Sequence, residues 1–143
     1  MNVLVDTSVW SLALRRQTRN LSAYEQSVVG ELADLVRDGR ARIIGLIRQE
    51  LLSGIRTHAQ YEKLRAALRA FPDEPVGTSD HAGAAAASNA CRAKGITTSV
   101  VDILICHVAL GRRWNIFTTD PDFKSYTRAL PIKLHALRAT PKQ

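Results

Sequence analysis

Four acidic residues stand where a soluble chain seldom places acids, and together they define the chemistry open to this one. Asp6 follows the apolar run Val3, Leu4, Val5, which reads as a strand buried on both faces. Asp120 follows Asn115-Ile116-Phe117-Thr118 in the same way. In a parallel sheet both acids leave at the carboxyl edge, where α/β proteins put their sites. Asp102 is the only acid in a helical stretch whose neighbours Val100, Val101, Ile103, Leu104, Ile105, Cys106 and Val108 are apolar. Glu50, in LIRQELLSGI, falls between Leu46 and Ile47 on a helical wheel. That is the edge of the apolar face, away from Arg48, Gln49 and Arg56.

Each acid also has a local explanation. Asp6 can cap a helix opening near Ser8, Ser99-x-x-Asp102 resembles a capping box, and Asp120-Pro121 is good turn chemistry. Glu50 can pair with an arginine. What favours a shared site is convergence, because four acids from four segments point inward or lie at one sheet edge. Two carboxylates about 4 Å apart repel by about 4 kcal/mol at an effective dielectric of about 20. Such a cluster takes up protons or binds a cation.

Oxygen-only ligands suit Mg²⁺ or Mn²⁺ rather than zinc. His58, His81, His107 and His135 show no ligand spacing, and His107 reads as a core or supporting residue. A hard cation of this kind lowers the pKa of the water it holds and stabilises charge on attacking and leaving oxygens. That is the chemistry of phosphodiester hydrolysis.

The totals agree with a nucleic-acid substrate. Twenty Lys and Arg against thirteen Asp and Glu give a net charge of +7, with an isoelectric point near 10.0. Setting the four acids aside leaves nine against twenty, so the ground around the pocket is more cationic than the total implies, and a phosphate backbone is drawn there. A basic surface that merely keeps a protein soluble fits the composition as well. The basic residues cluster at Arg15, Arg16 and Arg19, at Arg112 and Arg113, and at Arg138 and Lys142. At 143 residues, 45% hydrophobic and 23% charged, the chain is expected to form one domain with an ordinary core. Asp6 interrupts any signal-peptide-like apolar region, and Val100 to Gly111 is about half of a membrane span. Cys91 and Cys106 read as small buried hydrophobes in a reducing cytoplasm.

The elements that must position the acids follow from periodicity and punctuation. Helices are expected over 8–14, 23–38 with Gly39 as its stop, 46–56, and a further segment placing Tyr61, Leu64, Leu68 and Phe71 on one face until Pro72 and Pro75 break it. Two more follow, over 79–94, closed by Gly95, and over 99–111, apolar nearly all round and therefore buried. Strands are expected at 3–5, 41–45, 76–78, 115–118 and 131–134. Strands alternating with helices point to an α/β fold with a parallel sheet. Glu25, Glu31 and Glu62 read as polar-face residues.

VDTSVW, Glu50 in RQELLSG, Asp102 in SVVDILICHVAL and Asp120 in TTDPDF together resemble the PIN-domain ribonucleases, specifically the VapC-type toxins of toxin–antitoxin pairs. The resemblance spans Asn2 to about Leu137. It implies a single PIN-like domain over 1–143 with a basic tail from about 138, built as a three-layer α/β/α sandwich with a mainly parallel central sheet. It also implies a Mg²⁺- or Mn²⁺-dependent endoribonuclease leaving a 5′-phosphate and a 3′-hydroxyl. On this resemblance Asp6, Glu50, Asp102 and Asp120 form the catalytic, metal-holding quartet. Asp6 and Asp102 are then the most direct ligands, and Glu50 and Asp120 complete the cage directly or through water. Asp122 substitutes for or supports Asp120, while Thr7, Ser8 and Thr118 orient carboxylates or water. The resemblance further implies RNA as substrate, a homodimer, no membrane, and a VapB-type antitoxin whose tail occupies a groove. Tyr61, Leu64 and Leu68 either line that groove or belong to the core.

Two rivals are weaker. A haloacid-dehalogenase-type phosphatase needs a second acid two residues after the first, and Ser8 stands there; a receiver domain pairs adjacent acids, and MNVLVD offers one. An inactive basic module that binds RNA or protein is the other alternative. Carboxylates in a polyanion groove weaken binding unless a cation bridges them.

Overall fold

The computed structural model describes residues 1–15 and 20–138. Arg16, Arg19 and Lys142, three of the clustered basic residues, lie outside them. In chain order the elements are β1 (Val3–Val5), α1 (Thr7–Leu14), α2 (Ala23–Arg37), β2 (Ala41–Arg42), α3 (Gly45–Leu52), α4 (His58–Leu68), α5 (Thr78–Ala93), α6 (Val100–Arg112), β3 (Asn115–Phe117) and α7 (Asp122–Tyr126). The strands form a parallel sheet in the order β2-β1-β3, with Val3 opposite Ala41 and Val5 opposite Phe117. Helices pack onto this small sheet as an α/β sandwich, with α6 against β1 and β3 and α2 against β2.

The central strand explains its own position. Val3, Leu4 and Val5 are fully buried, as a strand covered on both faces must be, and each such side chain contributes about 1.5–3 kcal/mol by leaving water. Trp10, on the first turns of α1, donates its indole N–H to the Val5 carbonyl at 3.0 Å and so fixes the angle at which the chain leaves the sheet. α2 opens on a reciprocal capping box between Ser22 and Glu25. It stops where Gly39 takes φ +70°, a conformation that costs a side-chain-bearing residue more.

Several expectations are corrected. The strand expected at 41–45 ends at Arg42; Ile43 makes one parallel bridge to Asp73, and Gly45 already begins α3. No strand forms at 76–78, because Gly77 and Thr78 start α5. The strand expected at 131–134 reduces to a single bridge between Ile116 and Leu134. The short helix α7 was not foreseen. α6 is buried along most of its length, but Val100 in its first turn is 79% exposed.

Two charged residues also sit differently from expectation. Glu31 is buried, not on a polar face; its carboxylate accepts from Arg138 Nε at 2.8 Å and lies 3.2 Å from His135 Nε2. Arg112 is not free to meet a polyanion, because its guanidinium donates to Asp80, to Glu74 and to the Pro75 carbonyl. Tyr61, Leu64 and Leu68 divide between the two readings: Leu68 is fully buried, Leu64 nearly so, and Tyr61 half-buried.

Candidate active site

Parallel pairing of Val5 with Phe117 sends the next residue of each strand, Asp6 and Thr118, out at the same edge. The Asp6 N–H still donates to the Phe117 carbonyl at 2.8 Å. Asp6 occupies the N-cap position of α1, yet its side chain makes no capping bond. Oδ2 accepts instead from the hydroxyls of Ser8 and Thr118, each at 2.8 Å. A network continues from these hydroxyls, since Ser8 Oγ accepts from the Thr119 N–H and Thr118 Oγ1 from the Asp120 N–H, both at 3.0 Å.

Asp120 in turn accepts the Asp122 N–H on Oδ1 at 2.9 Å, an Asx turn that leads into α7. The turn expected at Asp-Pro is therefore present, and it carries the acids instead of replacing their role. Asp102 stands in the first turn of α6, where its N–H donates to Ser99 Oγ at 3.0 Å. Its carboxylate reaches across to α7 and accepts the Tyr126 hydroxyl on Oδ2 at 2.8 Å.

One carboxylate oxygen from each of Asp102, Asp120 and Asp122 lies within 4.8 Å of the others. Asp6 joins this group through Thr118. Glu50 is further out, exposed on α3, where its Oε1 accepts the Thr7 hydroxyl at 2.6 Å. It faces a cleft of about 390 Å³ whose walls also include Thr7 and Val101, the residues next to Asp6 and Asp102. Glu50, expected at the edge of the apolar face of its helix, is thus exposed at the rim and outside the tight group. Asp122, expected to substitute for or support Asp120, lies with it inside the tight group.

Electrostatics agree with the geometry. Burial raises the Asp6 carboxyl above its ordinary 3.8, against the opposing pull of the Ser8 and Thr118 hydroxyls and nearby backbone N–H groups. Asp102 is raised first by burial and then by the charges of Asp6 and Asp120, while the Tyr126 bond lowers it. Asp102 thus feels both strand-end acids. The resulting donor set is carboxylate oxygen, with neither imidazole nor thiolate in the three-acid group, which fits a hard divalent ion such as Mg²⁺ or Mn²⁺.

Tyr126 was missed by reading the sequence. Its one signal is a spacing of four from Asp122, which on a helix puts both on a single face.

The comparisons with known proteins fit this geometry. The PIN-domain family model matches residues 3–129, which include every acid of the site. The chain belongs to the PIN-domain family. PIN domains are generally metal-dependent nucleases. Among solved structures this PIN domain is similar to FitAcB from Neisseria gonorrhoeae, at TM-score 0.73 and 19% identity over 94% of this chain and 96% of that one. It is similar to VapBC2 from Rickettsia felis bound to a DNA fragment from their promoter, at 0.71 and 16% over 94% and 98%. It is also similar to a toxin–antitoxin complex from Klebsiella pneumoniae, at 0.60 and 15% over 85% and 90%. At these identities the likeness is one of fold. No curated protein sequence matches the chain.

Proposed function

We propose that this PIN domain is a divalent-metal-dependent endoribonuclease and the toxin of a toxin–antitoxin pair. The observation that carries the reading is the approach of Asp102, Asp120 and Asp122 to within 4.8 Å, with Asp6 tied to Asp120 through a single threonine hydroxyl. Asp102, Asp120 and Asp122 would hold Mg²⁺ or Mn²⁺, with Asp6 and Glu50 beside them directly or through water. When bound, the ion supplies an activated water and charge stabilisation at the scissile phosphate.

The chain's own residues prepare that site. Ser8 and Thr118 hold one oxygen of Asp6, and Tyr126 holds one oxygen of Asp102, so the carboxylates meet a cation without reorganising. Thr7 holds Glu50 at the rim. The basic excess draws the RNA backbone, and the cation makes the acids tolerable to it.

The antitoxin part rests on the toxin–antitoxin character of a structural neighbour and on a cleft of about 700 Å³ between α1 and α4. Leu14, Ile55 and Leu64 give it an apolar floor, Arg15, Arg56 and Lys63 line it with positive charge, and among the described residues no acid lines it. An acidic, amphipathic VapB-type tail suits it. The reading includes a homodimer acting on RNA in the cytoplasm, and among the described residues no helix is long and apolar enough to cross a membrane.

The test is cleavage of structured and single-stranded RNAs by wild type and Asp6→Ala, each with Mg²⁺, Mn²⁺ or EDTA. Cleavage by wild type alone, abolished by EDTA, supports the reading. Identical behaviour in every tube means a contaminating nuclease. Size-exclusion chromatography of the chain, alone and mixed with a synthetic acidic amphipathic peptide of the VapB-tail type, tests the partners.

A further inference from the structure

Two clefts flank the acids, and they differ in charge. The one on the Glu50 side, about 390 Å³, is walled by Leu46, Val101 and the Glu50 carboxylate, with no cation among its described lining residues. The other, about 500 Å³, has Asp102 and Asp122 on its wall, with Thr97, Ser125 and Arg128 around them. Arg128 is exposed, and among the described residues no carboxylate pairs with its guanidinium. Its backbone is nonetheless held. The Arg128 N–H donates to the Ser125 carbonyl at 3.1 Å, and Lys94 Nζ at the end of α5 donates to the Arg128 carbonyl at 3.0 Å.

Arg128 shares the lining of this cleft with two carboxylates and pairs with neither. Once a divalent ion satisfies those acids, the Arg128 guanidinium, carried on a backbone held at both its N–H and its carbonyl, is left as a positive charge on one side of the reacting centre. Lys94 adds a second nearby. The hydroxyls of Thr97 and Ser125 have no hydrogen-bond partner among the described residues and suit phosphate or ribose oxygens. The opposite cleft has no cation among its described lining residues to hold a phosphate, and it offers Leu46 and Val101 to an apolar surface such as a base.

We infer that the Thr97–Ser125–Arg128 cleft is a subsite for the RNA backbone phosphate adjacent to the scissile one, with Arg128 as its principal contact. A single strand then crosses Asp102 in one direction, phosphate towards α7 and base towards α3. This rests on the nuclease reading above and adds a polarity to it.

The test uses the full chain carrying Asp6→Asn, so that RNA is bound without being cut, and reads the fluorescence anisotropy of a labelled single-stranded oligonucleotide at fixed Mg²⁺ and varied monovalent salt. Arg128→Ala is expected to weaken binding several-fold and to lower the slope of log affinity against log salt by about 0.7, one single-strand phosphate contact. Arg128→Lys restores most of the slope, and Arg69→Ala, at the exposed end of α4, changes neither quantity. Replacing the adjacent phosphate with an uncharged methylphosphonate should weaken binding by the carrier but not by Arg128→Ala. Equal affinity and slope for the carrier and Arg128→Ala, or equal sensitivity of both to the neutral linkage, overturns the subsite and leaves the nuclease reading standing. Failure of the carrier to bind RNA at all, together with failure of wild type to cut it, removes both.

Discussion

The hydroxyl of Tyr126 donates to Oδ2 of Asp102 at 2.8 Å, joining the last turn of α7 to the first turn of α6. The phenol ring is almost fully buried and packs edge-on against Phe123 at 5.2 Å between centroids, so the donor is held where the carboxylate needs it. Tyr126→Phe keeps the ring and deletes one bond, at a cost of about 1 kcal/mol in stability. The larger effect falls on the acid. The bond lowers the Asp102 carboxyl, so without it Asp102 holds its proton to higher pH. Mn²⁺ titrations are expected to show about tenfold weaker binding, with the pH midpoint of binding moved upward. An unshifted midpoint would mean the tyrosine only packs.

Thr118 connects the two strand-end acids, giving a hydrogen bond to Asp6 and receiving one from the Asp120 N–H. Thr118→Val has nearly the same shape and can do neither. It leaves a buried carboxylate short of a donor and a backbone N–H short of an acceptor, a loss of about 1–3 kcal/mol. Thr118→Ser is expected to recover most of the melting temperature and the cleavage rate. Equal stability of valine and threonine in urea melts would show that the network is incidental.

The acids should make metal-dependent stability vary with pH in a definite direction. Asp6 and Asp102 are raised above 3.8 in the folded chain, so it binds protons there more readily than the unfolded one does. Their contribution favours folding at low pH and is lost as pH rises through the raised values. Asp80 has the opposite sign, because the Arg112 guanidinium holds its carboxyl far below 3.8. That contribution is present above 3.8 and lost as pH falls below it. The gain in melting temperature on adding Mn²⁺ is therefore expected to be small near pH ~4 and full by pH ~7.5, where the acids are ionised. Asp102→Asn should show little gain at any pH. A gain independent of pH would place the ion elsewhere.

These outcomes bear on what could be read from residues alone. β1, β3 and α6 were legible because their apolar runs leave one packing solution, and Asp6, Asp102 and Asp120 were legible as exceptions within or just after those runs. α7 was not, because TTDPDF carries strong turn chemistry and a five-residue helix has no periodicity to display. The roles of Tyr126 and of Asp122, whose carboxylate stands within 4.8 Å of those of Asp102 and Asp120, are hidden with it. Glu50 was misplaced for another reason: a helical wheel gives an angle, and whether the edge of an apolar face is covered depends on elements the wheel does not contain. Glu31 reads as a polar-face acid, and nothing local marks Asp80 as buried, because their partners, Arg138 and Arg112, lie 107 and 32 positions away. Burying an acid beside a distant arginine leaves no local trace.

The Asp80 cluster yields a packing prediction of its own. Arg112 clamps Asp80 through two nitrogens at 2.5 and 3.1 Å, and His107 Nε2 lies 3.4 Å from the same carboxylate, so the start of α5 is tied to the end of α6. As it faces Asp80, the His107 ring lies over Gly83, where an added Cβ would come 2.6 Å from Nδ1 and 2.8 Å from Nε2. Glycine inside a helix normally costs about 1 kcal/mol relative to alanine. Here Gly83→Ala is expected to be net destabilising, by roughly 1 kcal/mol, because the overpacking cost of about 1–3 kcal/mol exceeds that gain. With the ring removed the sign should reverse: in a His107→Ala background, Gly83→Ala is expected to raise stability by about the propensity difference. Chemical denaturation of the four proteins closes the cycle. A stabilising Gly83→Ala in the wild-type background would mean that His107 has room to leave, and that its contact with Asp80 does not hold the two helices together.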